Sequence, residues 1–235
     1  ADLGEGDRVE LTETDVERVI VPLAGSFEVD HHDGDDRERS TLQGRRSVFD
    51  GPTDVLYLPV GRTATLTGRG RVAVAEAPAS VRHPWRYIAA AETPVELRGA
   101  GSSSRQVHNF GTPQALDADR LIVCEVITPE GNWSSYPPHK HDEHIPGHES
   151  RLEEIYYFES APAAGSAASA DTAFGMFSTY SSPAGEIDIN AMVRTGDIAL
   201  VPYGYHGPAV AAPGYDLYYL NVMAGPDPDR AWLIS

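Results

Sequence analysis

Apolar residues fall into short runs separated by Gly, Pro and Asp, at positions 19–23, 55–58, 71–75, 121–127, 155–158, 198–201 and 217–222. Few segments repeat apolar residues at a period of 3.6, and the runs favour β-branched and aromatic side chains. The pattern therefore predicts strands. With 22 Gly and 18 Pro available for turns, barrels or sandwiches are expected rather than a βαβ arrangement.

One stretch recurs. Asp54-Val-Leu-Tyr-Leu-Pro59-Val-Gly61 matches Asp197-Ile-Ala-Leu-Val-Pro202-Tyr-Gly204, with Asp, Pro and Gly in the same register. In each copy Asp opens a strand at a turn, Pro ends the ladder because it lacks an N–H, and Gly permits the next bend. The two halves are thus expected to share one fold. Pro78, Pro84, Pro94 and the Gly99-Ala-Gly-Ser-Ser-Ser104 stretch interrupt the strand pattern. They place a boundary near residue 95, giving domains 1–95 and 96–235. Residues 161–173 are mostly Ala, Gly, Ser and Pro and predict a mobile surface loop between two strands.

Charge narrows the function. Eighteen basic against 35 acidic residues give a net charge of −17, and Lys140 is the only lysine. No basic face is available for phosphates, so nucleic acid and anionic membrane surfaces are excluded as partners. No run approaches the roughly 18 apolar residues of a membrane span, and no basic-then-apolar signal opens the chain, so a soluble cytoplasmic protein is expected. Cys124, the single cysteine, lies inside an apolar run and reads as a buried small hydrophobe. His31 and His32 sit in an acidic stretch and are expected to be solvated.

The candidate chemistry lies in the second half. In Pro137-Pro138-His139-Lys140-His141 the two histidines, two apart on an extended chain, point to one face and can converge on a cation while Lys140 points away. Glu153 and Glu154 open the aromatic strand that follows; a carboxylate leading such a strand is expected to face something positive. His206 follows a strand-ending Pro202-Tyr-Gly204 turn and, alone, is an ordinary loop histidine.

Together these strings resemble the cupin superfamily, whose metal barrels carry a His-x-His…Glu motif and a Gly-x5-Pro-x-Gly…His motif. Gly196-x5-Pro202-x-Gly204-x-His206 fits the second. The first is stretched, with twelve residues between His141 and Glu154. In the first half Arg18 stands where the ligand glutamate would be and Thr63 where His206 is, so the first barrel is expected to lack metal ligands and to be incomplete at its amino-terminal end. The strings Trp133-Ser-Ser-Tyr136-Pro-Pro-His139-Lys-His141-Asp-Glu143, Leu152-Glu-Glu-Ile-Tyr-Tyr157 and Pro213-Gly-Tyr-Asp-Leu-Tyr-Tyr-Leu-Asn-Val-Met-Ala-Gly225 look like the 5-deoxy-glucuronate isomerase family of myo-inositol catabolism.

That resemblance implies a bicupin that holds one divalent ion (Zn, Mn, Fe or Ni) through His139, His141, Glu154 and His206. The implied reaction is isomerisation of a uronate-type sugar, 5-deoxy-D-glucuronate, to 5-dehydro-2-deoxy-D-gluconate, and a homo-oligomer is expected. The base is open among a hydroxide on the ion, Glu154, and Tyr156, which shares the face of Glu154 by period-two alternation. Arg105, in the family-like Ser104-Arg-Gln-Val-His-Asn109 string, is expected to grip the substrate carboxylate. A cupin dioxygenase with the same ligand set, or a non-catalytic sugar-binding bicupin, is the rival reading.

Overall fold

The computed structural model describes residues 1–227 and 229–235. Its chain divides into two compact units, Ala1–Pro94 with Asn109–Val123, and Val95–His108 with Cys124–Ser235. The described residues form strands joined by turns and short 3-10 segments, as the apolar spacing predicts, and no helix among them is long and apolar enough to cross a membrane.

In the first unit the strands are β1 (Asp2–Leu3), β2 (Arg8–Leu11), β3 (Val16–Asp33), β4 (Asp36–Arg45), β5 (Val55–Leu58), β6 (Thr63–Pro78) and β7 (Arg86–Ile88). They make one sheet in the order β1-β6-β3-β5-β7, with β2 also on β6 and β4 also on β3. Ile20, Phe27, Leu42, Leu56, Leu66 and Val72 close its core. β3 and β6 run far beyond the apolar stretches that predicted them, because their outer halves alternate Thr, Asp and Glu outward with Phe, Val and Leu inward. β4 is half charged and gave no apolar signal; its pairing with β3 builds it.

A buried carboxylate ties Asn109–Val123 into this unit. Glu17 accepts hydrogen bonds from the backbone amides of Asp119, Arg120 and Leu121 at 2.8, 2.6 and 2.7 Å and from the Tyr57 hydroxyl at 2.7 Å. With four donors on it, a fully buried charge is tolerable.

The expectation that His31 is solvated fails. It lies on β3, almost fully buried, with Nδ1 accepting from Arg62 Nε at 2.8 Å and Nε2 donating to Ser40 Oγ at 3.0 Å. Trp85 packs edge-on against its ring. The acidic composition that argued for solvent describes the turn after it, since His31 points inward and only His32 stays outside.

The second unit contains β8 (Val95–Arg98), β9 (Arg105–Gly111), β10 (Ile122–Thr128), β11 (Trp133–Ser134), β12 (Glu153–Pro162), β13 (Gly175–Tyr180), β14 (Ile189–Val193), β15 (Ile198–Val201), β16 (Tyr205–Ala211) and β17 (Tyr215–Ala224), with β9 and β10 each beginning or ending in the other unit. Six strands run β15-β12-β17-β10-β9-β8, and four run β11-β16-β13-β14. Between the two sheets the rings of Tyr156, Phe158, Phe177 and Tyr219 pack with centroids 4.7–6.1 Å apart, an apolar filling that sets the distance between the layers.

The repeated Asp…Pro…Gly stretch occupies equivalent places in the two units. β5 pairs with β3 so that Leu58 faces Arg18, and β15 pairs with β12 so that Val201 faces Glu154. Arg18 therefore stands at the register position of Glu154. Its guanidinium, fully buried, is bonded to Glu76 and to the carbonyls of Arg62 and Glu13.

Residues 161–173 are more tied down than their composition predicts. β12 continues to Pro162, and Ala173 is buried against Ala212 and Tyr215. Thr172 Oγ1 lies 2.6 Å from the Tyr215 hydroxyl, and Ala163 donates its amide to the Gly214 carbonyl. Small side chains here allow close backbone approach.

Candidate metal centre

Three elements bring His139, His141, Glu154 and His206 to one point between the sheets of the second unit. Glu154 is the second residue of β12, where period-two alternation leaves Glu153 exposed and turns Glu154 inward, 2% exposed. His206 is the second residue of β16, just beyond the Pro202-Tyr-Gly204 turn, whose Gly204 takes φ +93° where a side chain would strike the Tyr180 carbonyl. His139 joins His206 through a two-way backbone bridge, amide to carbonyl in both directions.

The twelve residues between His141 and Glu154 are held by the chain's only lysine. Lys140 points away from the histidines and is buried among carboxylates, with Nζ 3.0 Å from Asp142, 2.7 Å from Glu143 and 2.7 Å from Glu149. Glu149 also accepts the amides of Asp142 and Glu143, and the Leu152 amide donates to the His141 carbonyl at 2.8 Å. The excursion is thus clamped at its neck, and Glu154 arrives beside His141 despite the length of the insertion.

Protonation within the cluster follows from its hydrogen bonds. His141 Nδ1 lies 3.0 Å from the Leu152 carbonyl and His206 Nδ1 lies 3.1 Å from the Gly204 carbonyl. A carbonyl only accepts, so each Nδ1 carries the proton and each Nε2 is the inward nitrogen. Both Nε2 atoms lie 3.0 Å from Glu154 Oε2. The His206 contact lacks hydrogen-bond geometry, leaving that buried nitrogen without a hydrogen-bond partner. Burial, with His206 close by, lowers His139 to a pKa of about 4, so it is neutral at physiological pH. Burial opposes charge on His141, but the Glu154 carboxylate outweighs it and raises the imidazole above its usual value. Burial would raise Glu154, yet the imidazoles of His206 and His141 hold it well below the ordinary carboxylate range.

The ligand-type nitrogens of His139, His141 and His206 all lie within 4.8 Å of one another. Donors about 2.1 Å from one cation stand about 3.0 Å apart at octahedral right angles and about 3.4 Å apart at tetrahedral angles, and Glu154 Oε2 lies 3.0 Å from both inward nitrogens. The four side chains fit a divalent ion.

Beside them opens a cavity of about 550 Å³. Its wall carries His139, Glu154 and Tyr156 at one side, and Arg98 and Arg105 at another. Arg98 is held by both oxygens of Glu96 at 2.9 and 2.7 Å. Arg105 bonds the Ser103 carbonyl at 2.9 Å through Nη1, and burial lowers its pKa, though a guanidinium remains charged. Tyr156 is 1% exposed, its hydroxyl 3.4 Å from that of Ser135. Burial and then Glu154 raise its pKa well above the ordinary value. Tyr219 lies 3.2 Å from the same Ser135, which has φ +45°. Asn221 donates to Glu154 Oε1, fixing the oxygen not turned to the imidazoles.

His139, Glu154, Tyr156 and Arg105 line this cavity, joined by Arg98, Ser135, Tyr219 and Asn221, while His141 and His206 meet Glu154 without being part of its wall. Asn221 had a signal in the sequence, an amide inside the apolar run Tyr218-Tyr-Leu-Asn221-Val-Met. Ser135 had none.

Known proteins resemble this chain over most of its length. The chain is 41% identical over 245 residues to a 5-deoxy-glucuronate isomerase of Geobacillus thermodenitrificans, covering 99% of this chain and 84% of that protein. It is 37% identical to the enzyme of the same name from Bacillus subtilis strain 168, covering 92% and 79%. Among solved structures, an IolB-like protein from Salmonella typhimurium LT2 superposes with a TM-score of 0.84 at 35% identity, covering 99% of this chain and 84% of that one. An oxalate decarboxylase from Lactobacillus farciminis shares the fold alone, with a TM-score of 0.63 at 9% identity over 97% of this chain and 75% of the other. The all-β architecture is that of the bicupins. The profile of the KduI/IolB family matches residues 1–235 throughout, and with these relatives it establishes that the chain belongs to the KduI/IolB family.

Proposed function

We propose that this chain isomerises 5-deoxy-D-glucuronate to 5-dehydro-2-deoxy-D-gluconate in inositol catabolism, using one divalent ion held by His139, His141, Glu154 and His206. The reaction rests on family membership and on relatives named for it over most of their length. The metal reading rests on one observation: two inward imidazole nitrogens, each with its proton on the far side, sit 3.0 Å from one carboxylate oxygen. Without a cation, or a proton taken up by His141, those lone pairs would face one another in a buried space. Zn, Mn, Fe and Ni all suit such a donor set. Arg18 at the register position of Glu154 supports placing the ion in the second barrel alone.

A bound divalent ion would polarise the substrate carbonyl and its neighbouring hydroxyl and offset the charge that develops as the α-proton leaves. The chain's own groups do the rest. Glu154, ionised by its imidazole neighbours, is the carboxylate on the cavity wall that can carry the proton between adjacent carbons. Tyr156 keeps its proton and donates to the substrate oxygen, with Ser135 orienting its hydroxyl. Arg105 binds the substrate carboxylate, since Arg98 is already paired with Glu96. Ile155, Ile198 and Leu200 form an exposed apolar face on β12 and β15 that suits a homo-oligomer, and a cytoplasmic location suits sugar catabolism. Anaerobic incubation with 5-deoxy-D-glucuronate tests the reaction: ketose forms without oxygen, whereas a strict oxygen requirement would favour a dioxygenase.

A further inference from the structure

The inner face of the six-stranded sheet carries an ordered series of side chains. Glu154 stands on β12, Tyr219 and Asn221 on β17, Val126 on β10, Val107 and Arg105 on β9, and all line the same cavity. Three strand spacings of about 4.8 Å separate β12 from β9, and the reach of an arginine closes much of that gap. What remains suits an open six-carbon chain, roughly 6 Å from its first carbon to its carboxylate. This inference rests on the function proposed above. With the reacting carbons at Glu154 and the carboxylate at Arg105, the carbon next to the carboxylate falls between them, beside Arg105. In the proposed substrate that is carbon 5, the one carbon that bears no oxygen.

The groups available to carbon 5 are apolar. Val107 lies two residues from Arg105 on the same face of β9, and Val126 is on the neighbouring strand; they are 1% and 6% exposed. Three of the polar groups that line this cavity are engaged: Arg98 with Glu96, the Tyr219 hydroxyl with Ser135, and Arg105 with the carboxylate it would bind. We propose that Val107 and Val126 determine specificity by packing against the deoxygenated carbon and denying a partner to any hydroxyl placed there. Burying an unpaired hydroxyl against methyl groups is the penalty that rejects the fully hydroxylated sugar acid.

The test compares kcat/KM for 5-deoxy-D-glucuronate and D-glucuronate in wild type, Val107→Thr and Val126→Thr. Dividing each variant's preference by that of wild type cancels the different ring-opening equilibria of the two sugars. Each threonine is nearly isosteric and offers the missing partner. The deoxy preference should fall about tenfold or more, and a preference within about twofold of wild type in both variants would overturn the assignment. Should the variants not fold, wild type alone decides through competitive inhibition by two acids that lack an aldehyde or ketone. Here 2-deoxy-D-gluconate should bind at least about tenfold tighter than D-gluconate, and equal inhibition would overturn the assignment. Wild type that turns over neither sugar would overturn the functional reading as well, whereas turnover without discrimination would overturn the valine assignment alone.

Discussion

His141 is fixed from both sides, its Nδ1 on the Leu152 carbonyl and its Nε2 toward Glu154. Replacing it by alanine removes a metal donor without touching the aromatic filling between the sheets. His141→Ala should lose bound metal and activity together, by more than the roughly 10–100-fold cost of losing a ligand's hydrogen-bond partner, while thermal unfolding stays close to wild type. Metal content and circular dichroism of one preparation check both halves. Arg105 acts on binding: if it grips the carboxylate in ground and transition states alike, Arg105→Ala should raise KM about 10- to 100-fold with kcat nearly unchanged. Arg105→Lys should remain well below wild type, because an ammonium cannot reproduce a planar two-bond grip. Steady-state kinetics at matched metal content would show it, and an unchanged KM would return Arg105 to a merely structural place. At this scale the sequence was informative where chemistry and periodicity coincide. His-x-His was legible, and Glu153 and Glu154 as a pair, but which of the two turns inward depends on strand register, and Ser135 and Tyr219 reach the cavity only through pairing of distant strands.

At the scale of elements, the stretched span from His141 to Glu154 depends on Lys140 and Glu149. Glu149 is buried, accepts two backbone amides and faces the lysine. Glu149→Gln removes the charge opposite a buried ammonium and should cost about 3 kcal/mol, measured by denaturant unfolding. Because the clamp delivers Glu154 to the imidazoles, metal affinity should weaken too although no donor has changed; calorimetric metal titration would report it. Strand existence was legible from apolar runs, but strand length was not. β3 and β6 extend through polar residues, and β4, half of whose residues are charged, is a strand because β3 offers it a partner. The Asp…Pro…Gly repeat foretold equivalent strands, and the facing pairs Leu58–Arg18 and Val201–Glu154 show why: the same turn chemistry sets the same register.

For the whole molecule, buried histidines couple stability to pH. Burial, reinforced by Arg62, lowers His31 from an ordinary value of 6.5 to about 4. Between those values the unfolded chain binds a proton that the folded chain refuses. The contribution of His31 is therefore complete above pH 6.5 and is lost as the pH falls toward 4. In His31→Gln that loss should disappear, so stability should fall less steeply than in wild type between pH 6.5 and 4; paired melting curves across that interval would reveal an unchanged slope if the reading is wrong. His31 also marks a limit of composition as a guide. Acidic neighbours in sequence argued for solvent, but side-chain direction along a strand decides burial, and that depends on pairing.

The central claim joins one site to one reaction, and a single titration tests it. Protein stripped of metal by chelation is reloaded with increasing amounts of a divalent ion, and conversion of 5-deoxy-D-glucuronate is followed by the loss of its aldehyde proton signal. Activity should be absent at the start, rise linearly and saturate at about one ion per chain, as a single centre of three imidazoles and one carboxylate requires. Equal turnover in stripped and reloaded protein, or none at full loading with any of the four metals, would contradict the account.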